Sequence, residues 1–485
     1  MMGPAWALVT RFLGPNDRPI DDASIFGQNG TVRVPWKVTL GGVDEVVGLG
    51  VVWLRAVRAD RTVEITLPCG RVLRGRLHEE WSVGEARRVL GRLADMKAAY
   101  RQLAGFPGHA FAMVLAALDP ATGEAVFFVA RALLFGETAA VYGFNRVSRF
   151  LATVGCRCAD LVLSAYYDDF TQLETHRLAA SAEATLKDMF ALLGFGLSTE
   201  AKKDKAFATA FEPLGVVVNF EEAMEGTIVV APKASRVERT VEQCRGYLSE
   251  GVLAGRDAKA LGGVLRFLRE GHFGRCGARV LRALQQHEHF VAPAPLEDGL
   301  RSGLQWLCEF LPTAPPRRIQ VDSSDAVVHV FTDGACEPDS VTVGACLFEA
   351  GCRPEAFGST VPSDIVERWR RNGAWQVVGQ AELAPVRLAA AVWAERLRGR
   401  YVVWWLDQDA ARLGLVKGYS PSEFSADLID RATIALSNLM VFSWFARVPS
   451  PSNPADWPSR LQWAELRAAF PQVVVRALGG DSWAV

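Results

Sequence analysis

The chain has 485 residues, half of them apolar and 22% charged, with a formal net charge of −1. That length exceeds one ordinary hydrophobic core, and the composition is globular rather than disordered or fibrous, so roughly two or three domains are expected. The near-neutral balance gives no sign of a polyanionic partner by itself, no run approaches the ~18 apolar residues of a membrane span, and MMGPAWALVTRF lacks the basic start and long apolar run of a signal peptide.

Nine cysteines are scattered along the chain, and the closest pair, Cys156 and Cys158, has no second pair to complete a zinc site. They read as reduced thiols. An intracellular protein, cytoplasmic or nuclear and not secreted, with no membrane partner, is expected.

In chain order, Arg18-Pro-Ile-Asp-Asp22 comes first, followed by Ser24 and Asn29. Ala94-Asp95 heads an amphipathic segment that runs through Tyr100 to Leu103. Leu133-Leu-Phe135-Gly136 precedes an apolar helix face that includes Phe144. The apolar run 161–165 predicts a strand ending on Tyr166-Tyr167-Asp168-Asp169. Two adjacent carboxylates at a strand end repel each other unless a cation neutralises them.

Helical spacing of Ala184, Leu186, Met189, Leu192 and Leu193 predicts a helix over 181–195, and a strand is expected over 216–220. Residues 236–289 read as mostly helical, with Leu261, Val264, Leu265 and Leu268 on one face. The span 231–290 carries 11 Lys/Arg against 6 Asp/Glu. Its arginines, Arg236, Arg239, Arg245, Arg266, Arg269, Arg275, Arg279 and Arg282 among them, suit either a phosphate backbone or a solvated helical surface. The proline-rich stretches 292–295 and 312–318 predict a linker, with the main boundary near residue 320.

Beyond it, strands are expected at 326–331, 401–406 and 439–447, and helices at 383–398 and 424–438. Trp404 and Trp405 read as core and flank of a strand. Four acidic residues stand in distinctive settings: Asp333 in Val330-Phe-Thr-Asp-Gly-Ala335, Glu382 in Gly379-Gln-Ala-Glu-Leu-Ala384, Asp407 after Tyr401-Val-Val-Trp-Trp-Leu406, and Asp456 in Ser452-Asn-Pro-Ala-Asp-Trp-Pro-Ser-Arg460. Singly, each reads as a turn, cap or loop residue. Converging together, they would repel without divalent cations. Pro385 is expected in the first turn of a helix that Glu382 opens, and Asp409 is expected at the surface.

The Asp95, Leu-Phe-Gly and Tyr-x-Asp-Asp elements resemble, in order, motifs A, B and C of reverse transcriptases. The Arg18 segment, and Lys202 and Lys203 ahead of Phe207 and Leu214-Gly215-Val216, are similar to segments of gypsy-like and DIRS-like retroelement enzymes. The series Asp333, Glu382, Asp407, Asp456 resembles RNase H. The fold class this implies is α/β (α+β): a reverse-transcriptase palm and thumb with partial fingers, then an RNase H-like α/β domain. The expected boundaries are 1–230 for fingers and palm, 231–290 for thumb or connection, 291–323 for the linker, 324–470 for the RNase H-like domain and 471–485 for a tail. Because the Arg18 segment lies almost at the start, the resemblance implies an N-terminally truncated piece of a Pol polyprotein.

The implied function is RNA-directed DNA polymerisation with ribonuclease H activity on RNA–DNA hybrids, within a retrotransposon polyprotein. The alternative is a degenerate retroelement-derived nucleic-acid-binding protein with RNase H activity alone or none. By resemblance, Asp95, Asp168 and Asp169 form one metal site and Asp333, Glu382, Asp407 and Asp456 another, each taking two Mg2+ ions, with Mn2+ as a substitute. Arg18 and Arg11 would face the triphosphate, Phe135 and Gly136 would line the nucleotide pocket, and Tyr100 would lie under the sugar and exclude a 2'-hydroxyl. The implied partners are an RNA template, a DNA primer, deoxynucleoside triphosphates and the RNA–DNA hybrid; the oligomeric state is left open. Leu134 stands where the family has proline, Ala140-Val141 where it has alanine–proline, and no histidine follows His329.

Overall fold

The structure is a computed structural model that describes residues 8–13, 19–34, 36–200, 203–272, 276–321, 327–371 and 376–483. The chain divides into two compact units, Met1–Leu214 with Val218–Ile228, and Gly215–Val217 with Val229–Val485. Among the described residues no helix is long and apolar enough to cross a membrane.

The first unit begins with β1 (Leu8–Leu13), β2 (Pro19–Asp22), α1 (Val43–Ala56) and the hairpin β3 (Thr62–Thr66) and β4 (Val72–Arg76). There follow β5 (Val89–Asp95), β6 (Val114–Leu118), β7 (Ala125–Val129), α2 (Thr138–Cys158), β8 (Val162–Tyr166), β9 (Asp169–Thr175) and α3 (Ala179–Leu192). One sheet has the order β2-β1-β6-β7, and a second, antiparallel sheet has β9 between β5 and β8.

The second sheet is backed by α2 and α3. Phe170 and Leu163 of the strands, Phe144 and Leu151 of α2, and Leu186 and Phe190 of α3 form one buried cluster. Each such side chain contributes roughly 1.5–3 kcal/mol by leaving water. Gly155 lets α2 approach the sheet, since a Cβ there would come within 2.4 Å of Leu163.

In the second unit, α4 (Ala234–Glu250), α5 (Gly255–Leu268), α6 (Ala278–His287) and α7 (Asp298–Thr313) pack around Val241, Leu261, Leu265, Leu284, Leu300, Leu304 and Leu307. This corrects the expected linker over 291–323. Its middle is the helix α7, which buries an apolar face and carries Pro312 one residue before its end.

The remainder of the unit consists of β10 (Val328–Cys336), β11 (Val341–Phe348), β12 (Glu355–Thr360), α8 (Ser363–Arg370), α9 (Val378–Val392), β13 (Tyr401–Leu406), α10 (Asp409–Lys417), α11 (Glu423–Asn438), β14 (Phe442–Arg447), α12 (Asp456–Ser459), α13 (Trp463–Ala469) and β15 (Val474–Val475). They build one sheet of order β14-β13-β10-β11-β12-β15. β10, β11 and β12 are antiparallel neighbours, while β13 is parallel to β10 and to β14. Val330, Val343 and Leu347 of the sheet pack with Leu383, Val386 and Leu388 of α9 and with Ile429 and Leu436 of α11. This is an α/β domain built on one mixed sheet.

The expected tail at 471–485 is not separate: β15 pairs with β12, and Arg476 bonds Glu355 at 2.6 Å. Trp404 is wholly buried and Trp405 flanks it half-buried. Parts of the basic span are already engaged: Arg279 faces Asp427 at 3.9 Å and Arg282 lies over the Tyr419 ring. Arg275 lies outside the described residues.

Candidate active site

In the second unit the carboxylates of Asp333 (β10), Glu382 (α9) and Asp407 (after β13) converge. One oxygen from each lies within 4.8 Å of the others, and this is the one such group among the described residues. Glu382 Oε2 and Asp407 Oδ1 are buried without a hydrogen-bond partner. Buried anionic oxygens without donors are costly. Burial, then Asp333 and Asp407, pushes the Glu382 carboxyl up to about 9. Asp333 is pushed up to about 6, chiefly by burial and further by Asp407 and Asp456, against a lowering hydrogen bond from Ser459. An oxygen-only donor set with unsatisfied atoms fits a hard divalent cation such as Mg2+ or Mn2+.

Three glycines on neighbouring strands bring these groups together. A Cβ at Gly334 would come within 2.5 Å of the Ala381 carbonyl oxygen, so α9 lies with its backbone directly on β10, one residue from Asp333. A Cβ at Gly344 would come within 2.2 Å of the Ser459 nitrogen, and one at Gly358 within 2.2 Å of the Pro458 oxygen. The one-turn helix α12 therefore rests on bare backbone, and the Ser459 hydroxyl donates to Asp333 Oδ2.

Two expectations about α9 are corrected. The helix starts at Val378, so Glu382 lies in its second turn, and Pro385 is interior rather than in the first turn. Pro385 cannot donate to the Ala381 carbonyl, which is the group pressed against Gly334.

Asp456 stands outside the converging group and pairs with Arg460 at 2.8 Å. Asp409 is a surface residue paired with Arg412 and Arg447. Ser459 and Arg460 lie inside the motif quoted from the sequence, yet nothing in their residue type signals these contacts.

In the first unit, Asp95 lies opposite Asp169 in the register of β5 and β9. Tyr166 also faces Asp169, so Tyr167-Asp168 is a two-residue turn with Tyr167 at φ 52°. That left-handed conformation is costly for a bulky residue; the Ser148 hydroxyl fixes the Tyr167 carbonyl, and the Met96 amide donates to the Asp168 carbonyl. The protein around Asp169, then the charges of Asp168 and Asp95, pushes its carboxyl up to about 7, although the residue itself borders solvent. It also shares a hydrogen bond with Asp95.

Lys203 Nζ contacts Asp95 Oδ2. The segment bearing it is stitched to β5: the Ser198 amide donates to the Asp95 carbonyl, and the wholly buried Arg92 holds Asp204 at 2.6 Å. The sequence reading missed Arg92, for which only its place in an otherwise apolar strand offered a signal.

The structure brings Tyr100 and Phe135 together. Their rings meet edge to face at 5.6 Å, and Tyr100 stacks on Phe144 at 4.8 Å. Burial, then Asp168 and Tyr167, pushes the Tyr100 hydroxyl up to about 12. Gly136, at φ 116°, lies against the Asp21 carbonyl, where a Cβ would be 2.1 Å away. The Asn29 side chain donates to the Gly136 carbonyl at 3.0 Å and accepts from the Thr138 amide that begins α2 at 2.7 Å. Arg11 Nε donates to the buried Asp21 at 2.7 Å. Arg18 and Lys202 lie outside the described residues.

No family model and no curated relative matches the chain. Among solved structures, the chain is similar to a foamy viral protease-reverse transcriptase, dRH, in complex with double-stranded DNA, at 13% identity and a TM-score of 0.43, covering 91% of this chain and 64% of that one. A second structure of the foamy viral protease-reverse transcriptase with double-stranded DNA is 12% identical, with a TM-score of 0.42 and coverage of 97% and 77%. RNase H1 from the halophilic archaeon Halobacterium salinarum NRC-1 is 18% identical over 29% of this chain and 98% of that one, with a TM-score of 0.24. Likenesses of this degree leave activity to be read from the chain's own side chains.

Proposed function

We propose that this chain is an RNA-directed DNA polymerase with ribonuclease H activity, part of a retrotransposon polyprotein. The observation that carries this reading is the pair of partnerless buried oxygens, Glu382 Oε2 and Asp407 Oδ1, beside Asp333. In the second unit Asp333, Glu382 and Asp407, with Asp456 beside them, would hold Mg2+ or Mn2+. The bound ions would supply an activated water and neutralise charge on the phosphodiester being cleaved. Ser459 orients the Asp333 carboxylate. The substrate would be the RNA strand of an RNA–DNA hybrid, recognised by its shape and 2'-hydroxyls.

In the first unit Asp95, Asp168 and Asp169 would hold the ions for transfer of a deoxynucleotide to a DNA primer on an RNA template. Tyr100, fixed between Phe135 and Phe144, presents its ring near Asp168, where it would exclude a 2'-hydroxyl.

A second reading, in which only the nuclease works, is favoured by one observation. Lys203 already covers an oxygen of Asp95, and Asp169 shares its hydrogen bond with that same residue.

The test is a labelled RNA–DNA hybrid with a recessed DNA primer, supplied with Mg2+ and deoxynucleoside triphosphates. Extension together with RNA cleavage is expected, with Asp168→Asn abolishing only extension and Asp333→Asn only cleavage. Cleavage without extension would establish the second reading, and binding with neither reaction would overturn both.

A further inference from the structure

Of the four acidic residues proposed to hold the ions in the second unit, Asp456 is the one outside the converging group. It is close enough to raise the Asp333 pKa, yet its own oxygen is held by the Arg460 guanidinium at 2.8 Å. The two neighbours at the end of α12 behave differently. Ser459 is wholly buried and anchored to Asp333, whereas Arg460 and Asp456 are each nearly half exposed. The Arg460 charge also acts on Asp333 and Glu337, so the guanidinium stands as the resident cation on the open side of the acidic cluster.

A metal ion drawing on the Asp456 oxygen that Arg460 holds must therefore displace the guanidinium. An exposed ion pair of this kind is weak and exchanges readily. A phosphodiester offers the guanidinium a better partner, because its planar fork matches two phosphate oxygens.

We propose that Arg460 is a substrate-sensing counter-ion for the metal site. It binds Asp456 in the free protein and transfers to a backbone phosphate when nucleic acid docks. Asp456 is thereby freed to join Asp333, Glu382 and Asp407. The cation site is complete only when a substrate phosphate is in place. This rests on the nuclease reading of the site, and Arg460 acts in it as a positioning residue.

The experiment measures Mn2+ binding to the full chain by electron paramagnetic resonance and calorimetry. It is done with and without a hybrid whose RNA strand is 2'-O-methylated so that it is not cleaved. The wild type is expected to bind Mn2+ several-fold more tightly once the hybrid is present. Arg460→Gln binds Mn2+ without hybrid about two- to fivefold more tightly, the range an exposed pair allows, and gains nothing further from hybrid. Its hybrid affinity has a salt slope lower by about one phosphate contact.

In an Asp456→Asn background, Arg460→Gln should leave Mn2+ affinity unchanged. If the effect persists there, Arg460 acts only as a general positive field and the inference is overturned. Equal Mn2+ affinity and equal salt slope in wild type and Arg460→Gln also overturn it. If Asp333→Asn abolishes Mn2+ binding in that case, the nuclease reading stands and only this inference falls. If Asp333→Asn changes nothing, both fall.

Discussion

The Ser459 hydroxyl donates to Asp333 Oδ2 across 126 residues of chain, and together with the buried Asn453 amide, which donates to the Thr332 carbonyl at 3.1 Å, it ties the last motif to the first strand of the acidic cluster. A hydrogen bond to a charged acceptor contributes about 1.5–3 kcal/mol. Ser459→Ala is expected to destabilise the second unit by about that amount and to move Asp333 higher than its present value of about 6. Titration of the carboxyl carbons by NMR in metal-free protein reads this directly; an unmoved Asp333 would show that the bond does not hold it.

The glycines under α12 lead to a steric prediction. Gly344→Ala places a methyl 2.2 Å from the Ser459 nitrogen and 2.5 Å from the Pro458 carbonyl carbon, both backbone atoms that cannot rotate away. Overpacking of this kind costs about 1–3 kcal/mol, and here it also lifts Ser459 from Asp333. Gly379→Ala is the control: its methyl would meet only Ser425 Oγ, at 3.9 Å. Being helical, it should be neutral or stabilising by up to about 1 kcal/mol. Urea denaturation of both variants checks the contrast, and equal midpoints would refute it.

The acidic residues were legible because each stands in or at the end of a strand, or in a helix, in a fixed order, a pattern that survives translation into one dimension. What surrounds them was less so. The α7 face of Leu300, Leu304, Leu307 and Leu311 has helical spacing, but Pro312 and its neighbours dominated the reading, and a proline this near a helix end disturbs only the turn that closes it. Likewise Pro385 argued for a helix beginning near Glu382; its interior position fits the Ala381 carbonyl facing Gly334, a relationship between residues 47 positions apart. Asp456 was grouped with the other three by residue type, order and the motif around it, and the sequence does not say that Arg460, four residues on, holds it.

Arg92 gives a prediction for the first unit. Its guanidinium is fully buried, bonded to Asp204 at 2.6 Å and near Glu183 at 3.7 Å. Its removal leaves Asp204 and Glu183 to Lys187 alone, at 3.0 and 2.7 Å, and empties a buried volume, at a cost of about 2–5 kcal/mol. Arg92→Ala is therefore expected to lower the unfolding midpoint of this unit strongly. Because Asp204 adjoins Lys203, it should also loosen the Lys203 contact with Asp95, so that Lys203 becomes more reactive toward amine-modifying reagents read by mass spectrometry. Unchanged stability would remove Arg92 as the anchor of this segment.

The last prediction concerns pH in the absence of metal. Glu382 is held at about 9 by burial and by Asp333 and Asp407, against an ordinary value of 4.5. The folded state thus binds this proton more tightly than the unfolded state, so between the two values the unfolded chain has lost a proton that the folded one retains. By linkage, the contribution of this group to stability is fully present below about 4.5 and is lost progressively as pH rises to about 9. In EDTA, the urea midpoint of the wild type should fall between about pH 5.5 and about pH 8.5. Glu382→Gln, which cannot ionise, should fall less. Added Mg2+ should reverse the decline in the wild type, because a bound cation stabilises the ionised carboxylates. Parallel slopes for wild type and Glu382→Gln would mean that Glu382 does not carry the buried proton, and a decline untouched by Mg2+ would mean that the cluster is not the cation's site.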